Sequence, residues 1–275
     1  MPSNSEITAN QLMRLIGLPD APVVVDVRTD DDYAADPRLL PAAQRRNFAT
    51  TDDWAGEFAA RHVVVVCQRG QKLSQGAAAW LRHHGVAAES LEGGFEAWRQ
   101  AEGLLVSPGQ LPERDAKGRT VWVTRARPKV DRIACPWLIR RFIDRDAVFL
   151  FVNASEVLAV AERFGATPFD IEGVFWSHRG ESCTFDTMLE EFGLRSAALD
   201  RLATIVRAAD TARLDLVPQA AGFLAASLGL SRMYRDDLEQ LDAGMLLYDA
   251  FYRWCRDAVE ETHNWPAGKP GEARA

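Results

Sequence analysis

The chain has 275 residues, of which 47% are hydrophobic and 26% charged, enough to form one large core or two of ordinary size. Its net charge of −7 argues against a surface dedicated to nucleic acid. The start of the chain lacks the basic and apolar segments of a signal peptide, and no run of about 20 apolar residues predicts a transmembrane helix. These features predict a cytoplasmic protein without a membrane partner.

Two short apolar runs, residues 23–27 and 63–66, dominate the first third of the chain. Continuous runs of this length are typical of parallel strands buried on both faces. The helices predicted around these strands cover residues 9–16, 52–60 and 74–84. Because strands and helices alternate, residues 1–107 are predicted to form an α/β domain with a parallel sheet flanked by helices.

A polar stretch rich in Pro and Gly, residues 108–119, predicts a linker to a second domain at residues 120–265. In that domain, strands are predicted at residues 120–124 and 148–152. Apolar positions three and four residues apart predict its helices at residues 131–143, 154–164, 196–209, 219–227 and 234–258. The second domain is therefore predicted to be α-rich α+β, and residues 266–275 to be a flexible tail.

Four cysteines are widely separated and form no CxxC pair, so we expect reduced thiols rather than structural disulfides. Cys67 differs from the others because it directly follows the strand at residues 63–66 and precedes a helix. Loop N–H groups and the amino end of a helix favour a thiolate, and two cations of the loop add to this effect. Cys67 is thus the predicted nucleophile; the alternative is a buried cysteine that ends a core strand. The predicted substrate-binding residues are Gln68, Arg69, Gly70, Gln71, Lys72 and Ser74.

Residues 5–106 resemble the rhodanese homology domain. The matching segments are Asp26-Val27-Arg28 with Tyr33, the cysteine loop, and Leu91-Glu92-Gly93-Gly94-Phe95-Glu96-Ala97-Trp98. The resemblance implies that Cys67 forms a persulfide and that Asp26 and Arg28 are structural. Lys72 stands where the family usually has Arg, which replaces a bidentate group by a point charge. Residues 37–42 also depart from the family pattern, so we expect that loop to differ in shape.

Basic residues are concentrated between Arg119 and Arg141, with seven cations against one acid. Three of them alternate along the chain, so in extended conformation they would project from one face. A fourth begins the next helix, and together they predict an oxyanion or phosphate site. The predicted anion-binding residues are Arg125, Arg127, Lys129 and Arg132. The alternative is a solvated face, with Arg140 and Arg141 pairing with acids elsewhere.

A second group of polar and thiol residues is scattered along the same domain. Its members are Asp131, Cys135, His178, Cys183, Asp186 and Asp210. Among them His178, Cys183 and Asp210 are candidate metal ligands, because imidazole, thiolate and carboxylate all bind divalent ions. Their spacing matches no strong zinc signature, and the alternative is a histidine beside a core cysteine.

Residues 120–265 resemble the carboxy-terminal domain of the chromate-resistance ChrB family. The matching segments include Trp122-Val123-Thr124-Arg125, Arg127-Pro128-Lys129, residues 131–143, Ser177-His178-Arg179-Gly180, Cys183-Thr184-Phe185-Asp186, Ala208-Ala209-Asp210-Thr211 and residues 228–234. The resemblance implies a link to chromate resistance and to chromate-responsive regulation, but no catalytic mechanism. Regulatory members have a different amino-terminal half, which counts against a DNA-binding regulator here.

Together these features predict a cytosolic sulfurtransferase or sulfur carrier that forms a persulfide on Cys67. Its partners would be a small-molecule sulfur donor and a thiol acceptor, and sulfur transfer would require no cofactor. The second domain would bind an oxyanion such as chromate or sulfate, with a metal as a further candidate. The alternative is a chromate- or metal-responsive binding protein in which the rhodanese domain is idle.

Overall fold

Residues 5–262 are described by the computed structural model, so the predicted tail at residues 266–275 lies outside them. The strands of the first domain are β1 (Glu6–Ile7), β2 (Val23–Asp26), β3 (Gln44–Arg45), β4 (His62–Val66) and β5 (Ala87–Leu91). Its helices are α1 (Ala9–Leu15), α2 (Asp30–Ala35), α3 (Thr51–Trp54), α4 (Lys72–His83) and α5 (Gly94–Gln100). All five strands are parallel, in the order β1-β5-β4-β2-β3. The α/β fold predicted for residues 1–107 is confirmed.

The second domain has the strands β6 (Val121–Arg125), β7 (Val148–Val152) and β8 (Thr167–Pro168), which form a small parallel sheet in the order β7-β6-β8. Its helices are α6 (Asp131–Leu138), α7 (Val157–Phe164), α8 (Thr184–Phe192), α9 (Ala197–Asp210), α10 (Ala220–Met233) and α11 (Asp237–Asp257). The predicted α-rich α+β class is therefore confirmed. No helix within residues 5–262 has the length and apolarity needed to cross a membrane.

Several predicted helices have different ends in the structure. The helix predicted at 52–60 is the single turn α3 followed by a 3₁₀ turn, Ala55–Phe58. The helix predicted at 131–143 changes at Leu138 into a π turn, Ile139–Ile143, shortly after Pro136, which has no N–H to donate. The helix predicted at 219–227 continues to Met233. Apolar periodicity does not report these ends, because they depend on caps and packing.

The two faces of the first sheet bury separate cores. On one face Val63, Val65 and Cys67 pack with helices α3 and α4. On the other face Val64 and Val66 pack with α1 and α5, and this core continues into the second domain. The second domain therefore lies on the face of the sheet opposite to the Cys67 side chain.

Polar contacts also join the domains at the loop that precedes β2. The guanidinium of Arg145 donates to the carbonyl oxygens of Ala21 at 2.6 Å, Pro22 at 3.1 Å and Pro19 at 3.3 Å. The backbone N–H of Ala42 donates to Phe142, also across the interface. These bonds pair carbonyl and N–H groups of the first domain with donors and acceptors of the second.

We expect Arg145→Met to lower the free energy of unfolding by about 1–3 kcal/mol, because it leaves three interface carbonyls without their donor. Urea unfolding of the full chain would measure the change. The matched control is Arg163→Met, which removes an exposed guanidinium at the end of α7. Equal destabilisation by both variants would contradict the role of Arg145 in the interface.

Candidate functional site

Cys67 lies at the carboxyl end of β4, directly before the loop that leads into α4. Its side chain is 4% exposed, and its Sγ is 3.1 Å from the hydroxyl oxygen of Ser74 in the first turn of α4. Because Ser74 is itself buried, this hydroxyl holds a fixed position beside the sulfur. The loop joins the carboxyl end of a central strand to the amino end of a helix, the usual ligand position in parallel sheets.

Two glycines let the Cys67 loop and the start of α5 approach each other closely. Gly70 has a φ of +66°, and a Cβ added there would lie 2.6 Å from the backbone nitrogens of Gly93 and Gly94. Gly94 has a φ of +61°, and a Cβ there would overlap the carbonyl oxygen of Cys67. The loop is held in place by the N–H of Phe95, which donates to that same oxygen at 2.9 Å.

The loop that follows Cys67 contains backbone N–H groups without an acceptor. Within residues 5–262, the N–H groups of residues 68–73 have no hydrogen-bond acceptor. The cavity beside them has a volume of about 520 Å³, and its charged lining residues are Arg69, Lys72, Asp32 and Glu96. Arg69 is 3.5 Å from Glu96, whereas Lys72 has no carboxylate within ion-pair distance in the described part of the chain. Since two acids balance two cations, the attraction for an anion comes mainly from the backbone and from Lys72.

Asp26 and Arg28 form a buried ion pair at the end of β2. The Nη2 of Arg28 is 2.7 Å from Asp26, and both side chains are almost inaccessible. The guanidinium also lies 3.9 Å from the centre of the Phe95 ring and donates to the carbonyl of Arg38. These contacts connect β2, the loop at residues 37–42 and the start of α5, and neither side chain lines the Cys67 cavity.

In the second domain, three aspartates surround one histidine. The Nε2 of His178 is 3.2 Å from Asp210, 3.4 Å from Asp170 and 3.6 Å from Asp131. Asp131 begins α6, Asp210 ends α9, and Asp170 follows β8, so the group assembles from distant parts of the chain. We call these four residues the Asp-His cluster.

The pKa values of the acids in the Asp-His cluster are shifted in different directions. Burial raises the pKa of Asp131 well above its ordinary value, and repulsion from Asp210 and Asp170 adds to this. Burial and Asp170 also raise the pKa of Asp210. Burial acts in the same direction on Asp170, but hydrogen bonds from His178 and Thr184 outweigh it and lower its pKa. The bond to Asp170 in turn raises the pKa of His178 to about 9.

The four predicted anion-binding residues have different partners in the structure. Strand β6 ends at Arg125, and the chain then turns, with a φ of +59° at Arg127. Arg127 donates to the carbonyls of Ser231 and Tyr234, and Lys129 is exposed. Arg125 and Arg132 contact Asp170, at 3.4 and 3.2 Å. Farther along the chain, Arg140 and Arg141 pair with Asp242 and Asp249, at 2.9 and 2.8 Å.

The predicted polar and thiol residues separate in the same way. His178 and Asp210 come together with Asp131, but Asp186 pairs with Arg207 at 2.6 Å and bonds to the backbone N–H of Cys183. Cys183 is buried at the start of α8, and Cys135 is buried in α6. Burial raises the pKa of both thiols well above the ordinary value, and the charge of Asp131 adds to it. Burial therefore favours the neutral thiol over the thiolate at both positions.

Asp170 was not among the predicted residues, although it contacts His178, Arg125, Arg132 and Thr184. It follows β8, a strand of only two residues that contains Pro168 and shows no apolar alternation. The position of Asp170 after a strand that pairs with β6 indicates that it belongs to the site, because the carboxyl ends of parallel strands meet at one edge of the sheet. This position becomes apparent only when β8 has been identified in the structure.

The Cys67 cavity and the Asp-His cluster are separate sites. All lining residues of the Cys67 cavity belong to the first domain. The cavity that reaches His178 and Asp170 has a volume of about 610 Å³ and is lined by residues of the second domain alone. A sulfur atom bound to Cys67 is therefore not adjacent to the second-domain cluster in this arrangement.

Comparisons with known proteins agree with the two resemblances. Residues 8–101 match the model of the rhodanese-like domain, and residues 122–255 match that of the ChrB C-terminal domain. Protein ChrB of Cupriavidus metallidurans is 34% identical over 169 residues, which are 56% of this chain and 50% of that protein. The matched region thus spans about half the length of this relative.

Two similar solved structures each cover about a third of this chain. A rhodanese-like domain protein from Staphylococcus aureus is 31% identical, with 34% of this chain and 90% of that chain covered and a TM-score of 0.31. Protein SSP1007 from Staphylococcus saprophyticus is 26% identical, with coverages of 34% and 92% and a TM-score of 0.31.

Proposed function

This chain joins a rhodanese-like domain to a ChrB C-terminal domain, and from that premise we propose a sulfurtransferase or sulfur carrier linked to chromate resistance. Cys67 is the proposed persulfide-forming residue. The observation that carries the proposal is the position of its sulfur, beside the Ser74 hydroxyl and a loop of unpaired N–H groups. That environment suits an anionic sulfur both before and after it accepts a second sulfur atom.

The proposed reaction has two steps. The Cys67 thiolate attacks the outer sulfur of thiosulfate, the S–S bond of the donor breaks, and sulfite leaves with the bonding electron pair. The terminal sulfur of the resulting persulfide carries the negative charge. An acceptor thiolate then attacks that sulfur, forms its own persulfide and releases the Cys67 thiolate. Ser74 would donate its hydroxyl hydrogen to the anionic sulfur by turning it away from the Gln71 carbonyl oxygen, since the Ser74 oxygen is 3.1 Å from the sulfur and 3.2 Å from that carbonyl.

The acceptor is proposed to be a thiol outside this chain. The other three cysteines, Cys135, Cys183 and Cys255, are buried, and none lines the Cys67 cavity. A small-molecule thiol or an exposed cysteine of a partner protein could reach the cavity from solvent. We therefore propose that Cys67 does not transfer sulfur directly to a cysteine of the second domain.

Mass spectrometry of thiosulfate-treated protein tests this proposal. We expect the peptide that contains Cys67 to gain one sulfur atom, with sulfite released in equal amount, while the three buried cysteines stay unmodified and serve as internal controls. Treatment with an acceptor thiol should remove the added sulfur. A Cys67 peptide that remains unmodified with thiosulfate and with low-molecular-weight persulfides would reject the proposal.

Lys72 provides a second test, because it is the unpaired cation of the cavity. We expect Lys72→Ala to raise the KM for thiosulfate about three- to tenfold with little change in kcat, since one charge-assisted contact to the donor is lost. Lys72→Arg should keep the KM near that of the wild type. The control is Arg99→Ala, which removes an exposed cation from the end of α5. A similar rise in KM for both alanine variants would mean that only the overall charge matters.

A further inference from the structure

The Asp-His cluster contains more carboxylate oxygens than its histidine needs. His62 and His84 each pair with one carboxylate, at 2.8 and 2.6 Å. The Nε2 of His178 instead has three carboxylate oxygens at 3.2–3.6 Å. One imidazole N–H can donate a good hydrogen bond to only one of them. The cluster is therefore not explained as a surface ion pair.

Three of the four side chains lie close enough together to share one ion. Ligand atoms about 2.0–2.2 Å from a metal in a tetrahedral site lie about 3.3–3.6 Å from one another. The separations of His178 from the carboxylate oxygens of Asp170 and Asp131, 3.4 and 3.6 Å, agree with this range. Ligand atoms of Asp131, Asp170 and His178 all lie within 4.8 Å of one another, whereas Asp210 is not part of this group.

A second and independent observation concerns Asp131. Its carboxyl is 1% exposed, and its Oδ1 has no hydrogen-bond partner in the described part of the chain. Its other oxygen, Oδ2, is the one 3.6 Å from His178, and it accepts from the backbone N–H of Thr184 at 2.6 Å. A buried oxygen without a donor is costly, and a cation held by both oxygens of Asp131 would satisfy Oδ1.

The surroundings orient the carboxylates as outer-shell groups do in metal sites. The Thr184 hydroxyl donates to Oδ1 of Asp170 at 2.9 Å, while Arg125 and Arg132 contact only Oδ2. The arginines thus hold one oxygen of Asp170, and the other faces His178. Among residues 5–262, Asp131 and Asp210 have no cation within ion-pair distance except His178.

We propose that Asp131, Asp170 and His178 bind one divalent transition-metal ion, with Asp210 beside His178. One imidazole and two carboxylates suit Zn²⁺, Mn²⁺ or Fe²⁺ better than a soft ion, because no thiolate takes part. His178 is 40% exposed, and it lines the 610 Å³ cavity together with Asp170, so an ion can enter from that side. Binding displaces the imidazole proton and moves the nitrogen lone pair onto the metal.

Metal binding to the purified full chain tests this inference. The protein is treated with a chelator, desalted, and titrated separately with Zn²⁺ and with Co²⁺, whose visible absorption reports its coordination. We expect one equivalent of bound ion per chain. His178→Ala and Asp170→Asn should weaken the affinity at least about 100-fold, and Asp170→Asn keeps the shape of the side chain.

His62→Ala and His84→Ala are the matched controls, because each removes a histidine that pairs with a single carboxylate. Both should retain one equivalent of ion and the Co²⁺ spectrum of the wild type. Circular dichroism of each variant shows whether it has folded. Wild-type protein that retains no ion, or cluster variants that bind as tightly as the controls, would overturn the inference. The result does not depend on sulfur transfer by Cys67.

Discussion

Replacing Cys67 by serine is expected to abolish sulfur transfer, with turnover of thiosulfate and an acceptor thiol falling about 10³-fold or more. Serine keeps the shape of the side chain and its contact with Ser74, but an alcohol is neither ionised at neutral pH nor able to hold a sulfane sulfur. Steady-state release of sulfite measures the effect. Because the substitution is nearly isosteric, the free energy of unfolding should change little.

The matched control is Cys255→Ala, which removes a thiol buried in α11 of the second domain. It should keep wild-type turnover per folded molecule. If the Cys67→Ser protein turned over thiosulfate as fast as the wild type, the assignment of the nucleophile would fail.

Gly94→Ala is expected to damage the same site through the backbone, although Gly94 carries no reactive group. The new Cβ would overlap the Cys67 carbonyl oxygen, and the φ of +61° is unfavourable for alanine. The Cys67 loop must therefore move away from α5. We expect at least a tenfold loss of kcat/KM and a loss of about 2–4 kcal/mol in stability.

Gly76→Ala is a close control, because Gly76 lies on α4 and a Cβ there would meet no atom within 4 Å. Alanine favours helix over glycine by about 1 kcal/mol, so this variant should be as stable as the wild type or more stable. Both variants are compared by urea unfolding and by sulfite release. Wild-type kinetics in Gly94→Ala would show that the loop tolerates displacement from α5.

Much of the first domain follows from its sequence alone. The apolar runs at residues 23–27 and 63–66 have few alternatives to buried parallel strands, and the structure has β2 and β4 there. The position of Cys67 between a strand and a helix is a local property of the chain, so it too was predictable. The reason in each case is that neighbouring residues determine the feature.

The second-domain site depended on contacts between distant residues. His178 and Asp210 were predicted, but Asp170 joined them only through the two-residue strand β8. The charges of Arg125 and Arg132 were visible in the sequence, whereas their pairing with Asp170 was not. A count of cations therefore predicted an anion site, while the folded chain surrounds His178 with acids.

The sequence by itself determined the two domain types, the buried strands and the place of Cys67, because these rest on local patterns and contiguous motifs. Only the tertiary structure decided which charges neutralise one another and which face of the first sheet meets the second domain. The physical reason is that ion pairing and packing act over a few ångströms in space. Residues such as Asp131 and His178 become neighbours only after α6, α9 and the small sheet have packed together.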